Sequence, residues 1–203
     1  MIKMVYIPDL YDMNIFFLSM SIVRCAKYHF DKHVVKMIIE YCQLLSTSWH
    51  ILDSELAVKH LDNQLIYRKT HMNHPCAVWC RHHINNYNYV ARLGLQLCRE
   101  WRYRYGHPDT RFHGSESKLL FLYKNPPPSI SISYISKTSH NPKSLSIPLP
   151  QAMPDSCKSK KTTVHGSVKA YRKYYKSEHK ARLVSWTIKN DKNRNDLRKP
   201  LWW

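Results

Sequence analysis

Residues 29–52 read HFDKHVVKMIIEYCQLLSTSWHIL, and the fold turns on how that stretch winds. At 3.6 residues per turn, His29, His33, Lys36 and Glu40 fall on one narrow line, and Val35, Ile38, Cys42, Leu45, Trp49 and Leu52 on the opposite one. The apolar line is a core seam. The polar line holds two imidazoles, an amine and a carboxylate at mutual reach. Each of these groups can move a proton, and the amine can also act as a nucleophile. A solvated face is the plain alternative, because surface helices carry polar stripes opposite apolar seams. Asp31 is a good N-cap for this helix. A start there leaves His29 just ahead of the first turn, and the stripe becomes His33, Lys36 and Glu40 with His29 folded nearby.

Upstream, residues 1–12 read as a loose leader, 14–18 (NIFFL) as a small strand or buried arm, and 21–28 as a short helix. Downstream, residues 53–73 are polar, with one helical turn around Glu55 to His60. At Asn73-His74-Pro75 the Asn is a natural cap and Pro suits the first helical position. From there a second long helix is expected to reach Tyr105, bent at Asn85-Asn86 and ended by Gly106-His107-Pro108. Its seam is Cys76, Cys80, Ile84, Tyr87, Ala91, Leu95 and Cys98. Residues 117–124 form a third helical piece. Residues 126–163 become extended and rich in Ser, Ile and Pro, and basic helical pattern returns over 168–186. The expected fold is mainly α. It is one irregular helical domain with a helical core over 13–125, an extended Pro/Ser-rich segment over 126–163 packed across it, and a basic helical region over 164–203.

Lys and Arg number 32 against 14 Asp and Glu in 203 residues, a net charge of +18. From residue 156 onward, 14 Lys and Arg face three acids, so most of the excess sits in the last quarter of the chain. Such an excess points to a polyanionic partner, nucleic acid before a membrane surface. General Lys-rich usage in the source organism is the bland alternative. No run approaches the ~18 apolar residues of a membrane span, and the first residues lack an apolar signal core. An intracellular protein with reduced thiols and no membrane partner is therefore expected.

Cys76-x-x-x-Cys80-x-His82-His83 invites a zinc reading, but no second Cys pair follows. Those cysteines also lie on the apolar seam, where a thiol behaves as a small hydrophobe. Neither a metal nor a cofactor is expected. The tail Ala170-Tyr171-Arg172-Lys173-Tyr174-Tyr175-Lys176 interleaves rings with cations, which suits phosphates and exposed bases. Its tyrosines share one helical face with Lys180 and serve equally well as core. Trp101-Arg102-Tyr103-Arg104-Tyr105 has the same texture. The expected nucleic-acid contacts are His74, Arg81, Tyr103, Arg104, Arg172, Tyr174, Tyr175 and Lys180. Phosphate-cradling Gly-rich loops, a nucleophile elbow and a two-metal acidic cluster are all missing. Any chemistry falls to His, Lys, Arg, Tyr and few carboxylates.

NIFFLS, AKYHFDKHVVKMIIEYCQLLST, THMNHPCAVWCR with NY, RYGH, QAMPD and AYRKYYKSEHKA, in that order over most of residues 14–186, resemble a family of small helical proteins of large phages and giant viruses. More distantly, the chain resembles phage pyrimidine-dimer DNA glycosylases of the endonuclease V type, compact basic helical enzymes whose aromatic-basic tail AYRKYYK echoes. That resemblance implies DNA repair by an amine that attacks the sugar C1′ and forms a Schiff base, with a helix glutamate assisting. In those enzymes the amine is the processed N-terminus, whereas this chain begins Met1-Ile2. Lys36, not a carboxylate, aligns near their glutamate. The reading that follows is a viral glycosylase or glycosylase/lyase with Lys36 as nucleophile, His29 or His33 as acid or base, and Glu40 shuttling protons. A non-catalytic nucleic-acid-binding protein and an enzyme on a small phosphorylated anion are the alternatives.

Overall fold

A computed structural model describes residues 13–131, 149–161, 163–189 and 198–203. The expected leader and the middle of the Pro/Ser-rich segment lie outside the described residues. Every regular element described is helical, as the patterning requires. In chain order these are α1 (Ile22–Tyr28), α2 (Asp31–Leu52), α3 (Ser54–Asp62), α4 (Pro75–His82), α5 (Ile84–Tyr105), α6 (Glu116–Lys124), a 3-10 turn (Asp155–Cys157), α7 (Val164–Lys176) and α8 (Glu178–Ala181). No helix among the described residues is long and apolar enough to cross a membrane.

α2 is the axis of the molecule. It packs against α3, α4, α5 and α6. Its seam residues Ile38, Cys42, Leu45 and Trp49 are buried, and so are His33, Glu40, Tyr41 and Leu44 around the rest of its circumference. The polar stripe is therefore an interior surface, not the solvated face of a peripheral helix. Residues 14–18 run as a buried arm along α2 with Ile15 and Leu18 fully enclosed. Among the described residues the arm has no strand partner. Its amides go instead to side chains, Phe16 N–H to the Tyr41 hydroxyl (3.3 Å) and Asn14 N–H to the Glu40 carboxylate (3.2 Å).

Several boundaries differ from the sequence reading. Phe30, not Asp31, is the N-cap of α2, with extended backbone and no side-chain cap. The Asp31 carboxylate is occupied elsewhere, accepting from Thr187 N–H and Oγ1 and from Arg104. The second long helix is two helices, broken at His83 rather than bent at Asn85-Asn86. His83 is extended (φ −154°, ψ 147°), and its Nδ1 accepts from Asn85 N–H. Ile84 N–H leaves the helical ladder for the Ser131 carbonyl, and the Asn86 amide fills the orphaned Trp79 carbonyl. His74 rather than Asn73 caps α4, its ring nitrogen accepting from Cys76 N–H, and Pro75 follows at the first position. Gly106 closes α5 in the left-handed region (φ 64°), where a glycine is nearly cost-free. The tail helix begins at Val164 and stops at Ser177, whose hydroxyl donates to the Tyr174 carbonyl at 2.6 Å.

Beyond α8 the chain lies as a strap over the α1–α2 corner. Asp31 N–H donates to the Ser185 carbonyl, Trp186 Nε1–H to the Tyr28 carbonyl, and Lys189 N–H to the Arg104 carbonyl. Arg198 continues it, its guanidinium on Glu100 at 2.8 Å.

In the first turn of α7, Gly166 passes so close to the preceding loop that a Cβ would sit 2.2 Å from the Lys161 carbonyl oxygen. That atom is backbone and cannot rotate aside. Gly166→Ala is expected to lower stability by about 1–3 kcal/mol, the usual penalty of overpacking. The midpoint of urea unfolding reads it, and an unchanged midpoint refutes the close approach.

Candidate functional site

Side chains from the 14–18 arm, α2, α7, α8 and residues 151–158 surround one concavity. The result is a pocket of about 440 Å³, within the usual span of small-ligand sites. Phe16 and Tyr174 supply aromatic walls and His33 an imidazole. Lys36, Lys158 and Lys180 supply three amines, and Asn14, His74 and Gln151 further polar groups. Residues more than 140 positions apart in sequence thus face one concavity.

The wall formed by residues 151–158 is held at several points. Asn14 Nδ2 donates to the Ala152 carbonyl (2.6 Å), Tyr171 Oη to the Pro150 carbonyl (2.8 Å) and Ser167 Oγ to the Leu149 carbonyl (3.2 Å). The Gln151 amide pairs with the backbone of Ser159, and Lys173 Nζ donates to the Ser156 carbonyl. A wall tied this way preorganises the pocket.

On the α2 side, Lys36 Nζ lies 2.9 Å from Glu40, an i,i+4 ion pair with the amine partly exposed and the carboxylate nearly buried. Burial pushes the Glu40 carboxyl above its ordinary range, against the opposing pull of Lys36. A raised pKa makes this carboxylate a better proton acceptor than an exposed one. His33 is clamped between Phe30 (ring centroids 3.8 Å) and Phe16 (4.3 Å), and its Nδ1 is 2.7 Å from the Tyr175 hydroxyl. Burial first, and then Lys180, hold His33 well below its usual pKa. The ring is neutral at physiological pH, and Nε2 has no hydrogen-bond partner among the described residues.

On the α8 side, Lys180 is only 3% exposed. Its Nζ lies 5.1 Å from the Tyr174 ring centre and 5.7 Å from that of Phe16, which places the charge on two π faces. Lys158 pairs with Asp155 at 2.8 Å on the rim.

The sequence-derived residues divide into two groups. His33, Lys36, His74, Tyr174 and Lys180 line the pocket, with Glu40 behind Lys36. The others do not. His29 is enclosed in the core: its Nδ1 donates to the Cys25 carbonyl (2.8 Å), which leaves Nε2 to accept from Tyr41 Oη (3.3 Å). That geometry withdraws it from any acid–base role in the pocket. Arg104, expected to clamp phosphates, is 1% exposed and holds Glu100, Asp31 and the Lys27 carbonyl. Tyr175 is buried against His33. Arg172 donates to the Leu18 carbonyl and covers Trp202. Arg81 donates to the Met72 carbonyl. Tyr103 is exposed but lies under Arg198, at a separate depression lined by Lys27, Arg99 and Arg102.

Asn14, Phe16, Gln151 and Lys158 line the pocket although the sequence marks none of them. Gln151 and Lys158 come from a stretch without periodicity. Asn14, the polar head of an apolar run, was the available signal. All six cysteines are free thiols and buried, Cys76 and Cys80 with pKa values raised to about 12 by burial. Among the described residues no three His, Cys, Asp or Glu side chains gather as a metal site would need. No protein-family model, curated protein or solved structure matches this chain.

Proposed function

We propose that the protein is a DNA-acting enzyme of the base-processing kind, which draws one nucleotide of a strand into the α2–α7 pocket. The observation that carries the reading is the meeting of Lys36, Lys158 and Lys180 with Phe16 and Tyr174 in one 440 Å³ hollow. An extruded nucleotide has the matching parts. Its phosphates suit the amines and its planar base suits the rings. The net charge of +18 supplies long-range attraction to the rest of the strand. The pocket's own chemistry is amine and carboxylate chemistry. An amine can attack the sugar C1′, and Glu40 can take up and return a proton. This is glycosylase or glycosylase/lyase work, in line with the endonuclease V-type resemblance.

The test is twofold. Binding to a short duplex is expected to weaken steeply with salt. Borohydride is expected to trap a covalent complex with a duplex carrying an abasic site. A protein that neither binds duplex nor forms the adduct is not this enzyme.

A second reading has its own support. The three amines gather at one pocket of about 440 Å³, which also suits a small phosphorylated molecule free in solution. That reading expects saturable binding of a mononucleotide or sugar phosphate with no affinity for duplex.

A further inference from the structure

We propose that His33 is the residue by which this pocket selects its nucleotide. Tyr175 holds it as the Nε2–H tautomer, and Nε2–H donates to a keto oxygen of the base. Bases with a keto oxygen at that edge are taken, and those with an amino group there are refused. The inference rests on the reading of the pocket as a nucleotide site, and it adds the class of base and the residue that chooses it.

The tautomer follows from where the Tyr175 proton can go. Tyr175 is fully buried, and burial pushes its phenol well above the ordinary pKa, so the hydroxyl keeps its hydrogen. Its one hydrogen-bond partner among the described residues is His33 Nδ1, at 2.7 Å. Were Nδ1 the donor, the phenolic hydrogen would be left unpaired in the core, a costly arrangement. Tyr175 therefore donates and Nδ1 accepts. Burial first, then the charge of Lys180, hold the imidazole well below its usual pKa, so the ring is neutral and its single hydrogen sits on Nε2.

Nε2 is also on the part of the ring that meets the pocket. Phe30 and Phe16 cover the two faces, with ring centroids at 3.8 and 4.3 Å, and Tyr175 covers the Nδ1 edge. His33 nonetheless lines the cavity, so the edge it contributes is the one that carries Nε2. Among the described residues the sealed side-chain atoms without a partner are Arg92 Nη1 and Trp202 Nε1. Nε2 has no partner and is not one of them, which leaves it a donor open to the cavity.

The neighbouring amides are already spent within the protein. Asn14 donates to the Ala152 carbonyl and accepts from Ile15 N–H, while Gln151 donates to the Ser159 carbonyl and accepts from Ser159 N–H. Lys36, Lys158 and Lys180 are ammonium groups and suit phosphate. A neutral donor in an aromatic clamp suits a neutral acceptor on a planar ring, and a base lying against Phe16 brings its edge beside the imidazole. An amino group there sets donor against donor and leaves Nε2–H unpaired once water is expelled.

The experiment uses the full chain with its histidine ring nitrogens isotopically labelled. Long-range proton–nitrogen NMR spectra of the unmodified protein read the His33 tautomer directly, and Nε2–H with a bare Nδ1 is expected at neutral pH. Binding is then measured for the deoxynucleotide 5′-monophosphates of uracil and cytosine, and of hypoxanthine and adenine. Each is offered free and as the one unpaired base of a short duplex. The keto member of the tighter pair is expected to bind about ten-fold or more tightly than its amino counterpart. That ratio should collapse in His33→Phe and return in part in His33→Gln, whose amide can donate from a similar place. Tyr175→Phe removes only a hydroxyl, and it should mix the tautomers and lower the ratio without relying on a His33 variant. An Nδ1–H tautomer or a charged ring overturns the assignment. So does a ratio near one in the unmodified protein, or a ratio unchanged in folded His33→Phe; binding that persists in those cases leaves the pocket reading standing. Binding by none of the probes overturns the pocket reading and the selection built on it. Preference among free nucleotides alone, or among the duplexes alone, upholds His33 and tells which source supplies the base.

Discussion

Arg104→Met is expected to destabilise the protein by roughly 3–5 kcal/mol, the largest effect of any single substitution considered, because it strips the counter-charge from two buried carboxylates. Arg104 is the hub of the α1–α2–α5 corner. Its Nε donates to Glu100 (2.7 Å), Nη1 to Asp31 (3.0 Å) and Nη2 to the Lys27 carbonyl (2.7 Å). Each carboxylate has a second holder, Arg198 on Glu100 and Thr187 on Asp31. Both of those belong to the C-terminal strap, so loss of Arg104 throws the load on the strap itself. At about 2–4 °C per kcal/mol for a chain of this size, the thermal midpoint should fall by roughly 10 °C. Arg104→Lys should recover only part of this, since one ammonium cannot serve three acceptors in the fork geometry of a guanidinium. Urea unfolding checks both variants. A loss below ~1 kcal/mol for Arg104→Met contradicts a buried hub. A selective loss of DNA affinity with stability intact would return Arg104 to the phosphate-binding role its sequence context suggested.

That contrast shows where sequence reading succeeds and where it runs out. The all-helical class was legible because α2, α5 and α6 each carry apolar residues at three- and four-residue intervals. The line through His33, Lys36 and Glu40 was legible for the same reason, since helical spacing fixes which side chains are neighbours. The fate of the cations was not. Arg104 sits among aromatics and arginines that look like a nucleic-acid surface. Its partner Asp31 is 73 residues away, and only the i,i+4 relation to Glu100 hinted at burial. The break at His83 was hidden because no Gly or Pro marks it. It depends on an imidazole cap and on a carbonyl from residue 131. The pocket's second wall was hidden because residues 151–158 are placed by hydrogen bonds to the arm and α7, and not by any pattern of their own.

Acid should weaken the fold well before the carboxylates titrate, and His29 is the main reason. Its folded-state pKa is lowered from 6.5 to about 4 by burial. Between those values the unfolded chain binds a proton that the folded chain refuses, so stability falls as pH drops through 6.5 and the loss is complete near pH 4. A shift of that size corresponds to a loss on the order of 3 kcal/mol, about 2 kcal/mol of it by pH 5. His33, also held low by burial, adds in the same direction. Glu40 works against them. Its raised folded-state pKa means the folded protein binds the extra proton above 4.5, a stabilising contribution that fades as pH rises. The net expectation is a urea midpoint that falls steadily from pH 7 to 5. In His29→Asn the slope should be visibly shallower, while the variant is less stable at pH 7, because Asn can still donate to the Cys25 carbonyl but cannot satisfy Tyr41. A slope unchanged in His29→Asn would assign the acid sensitivity to His33. A midpoint flat across that range would mean neither imidazole is as enclosed as the packing of α1, α2 and α7 requires.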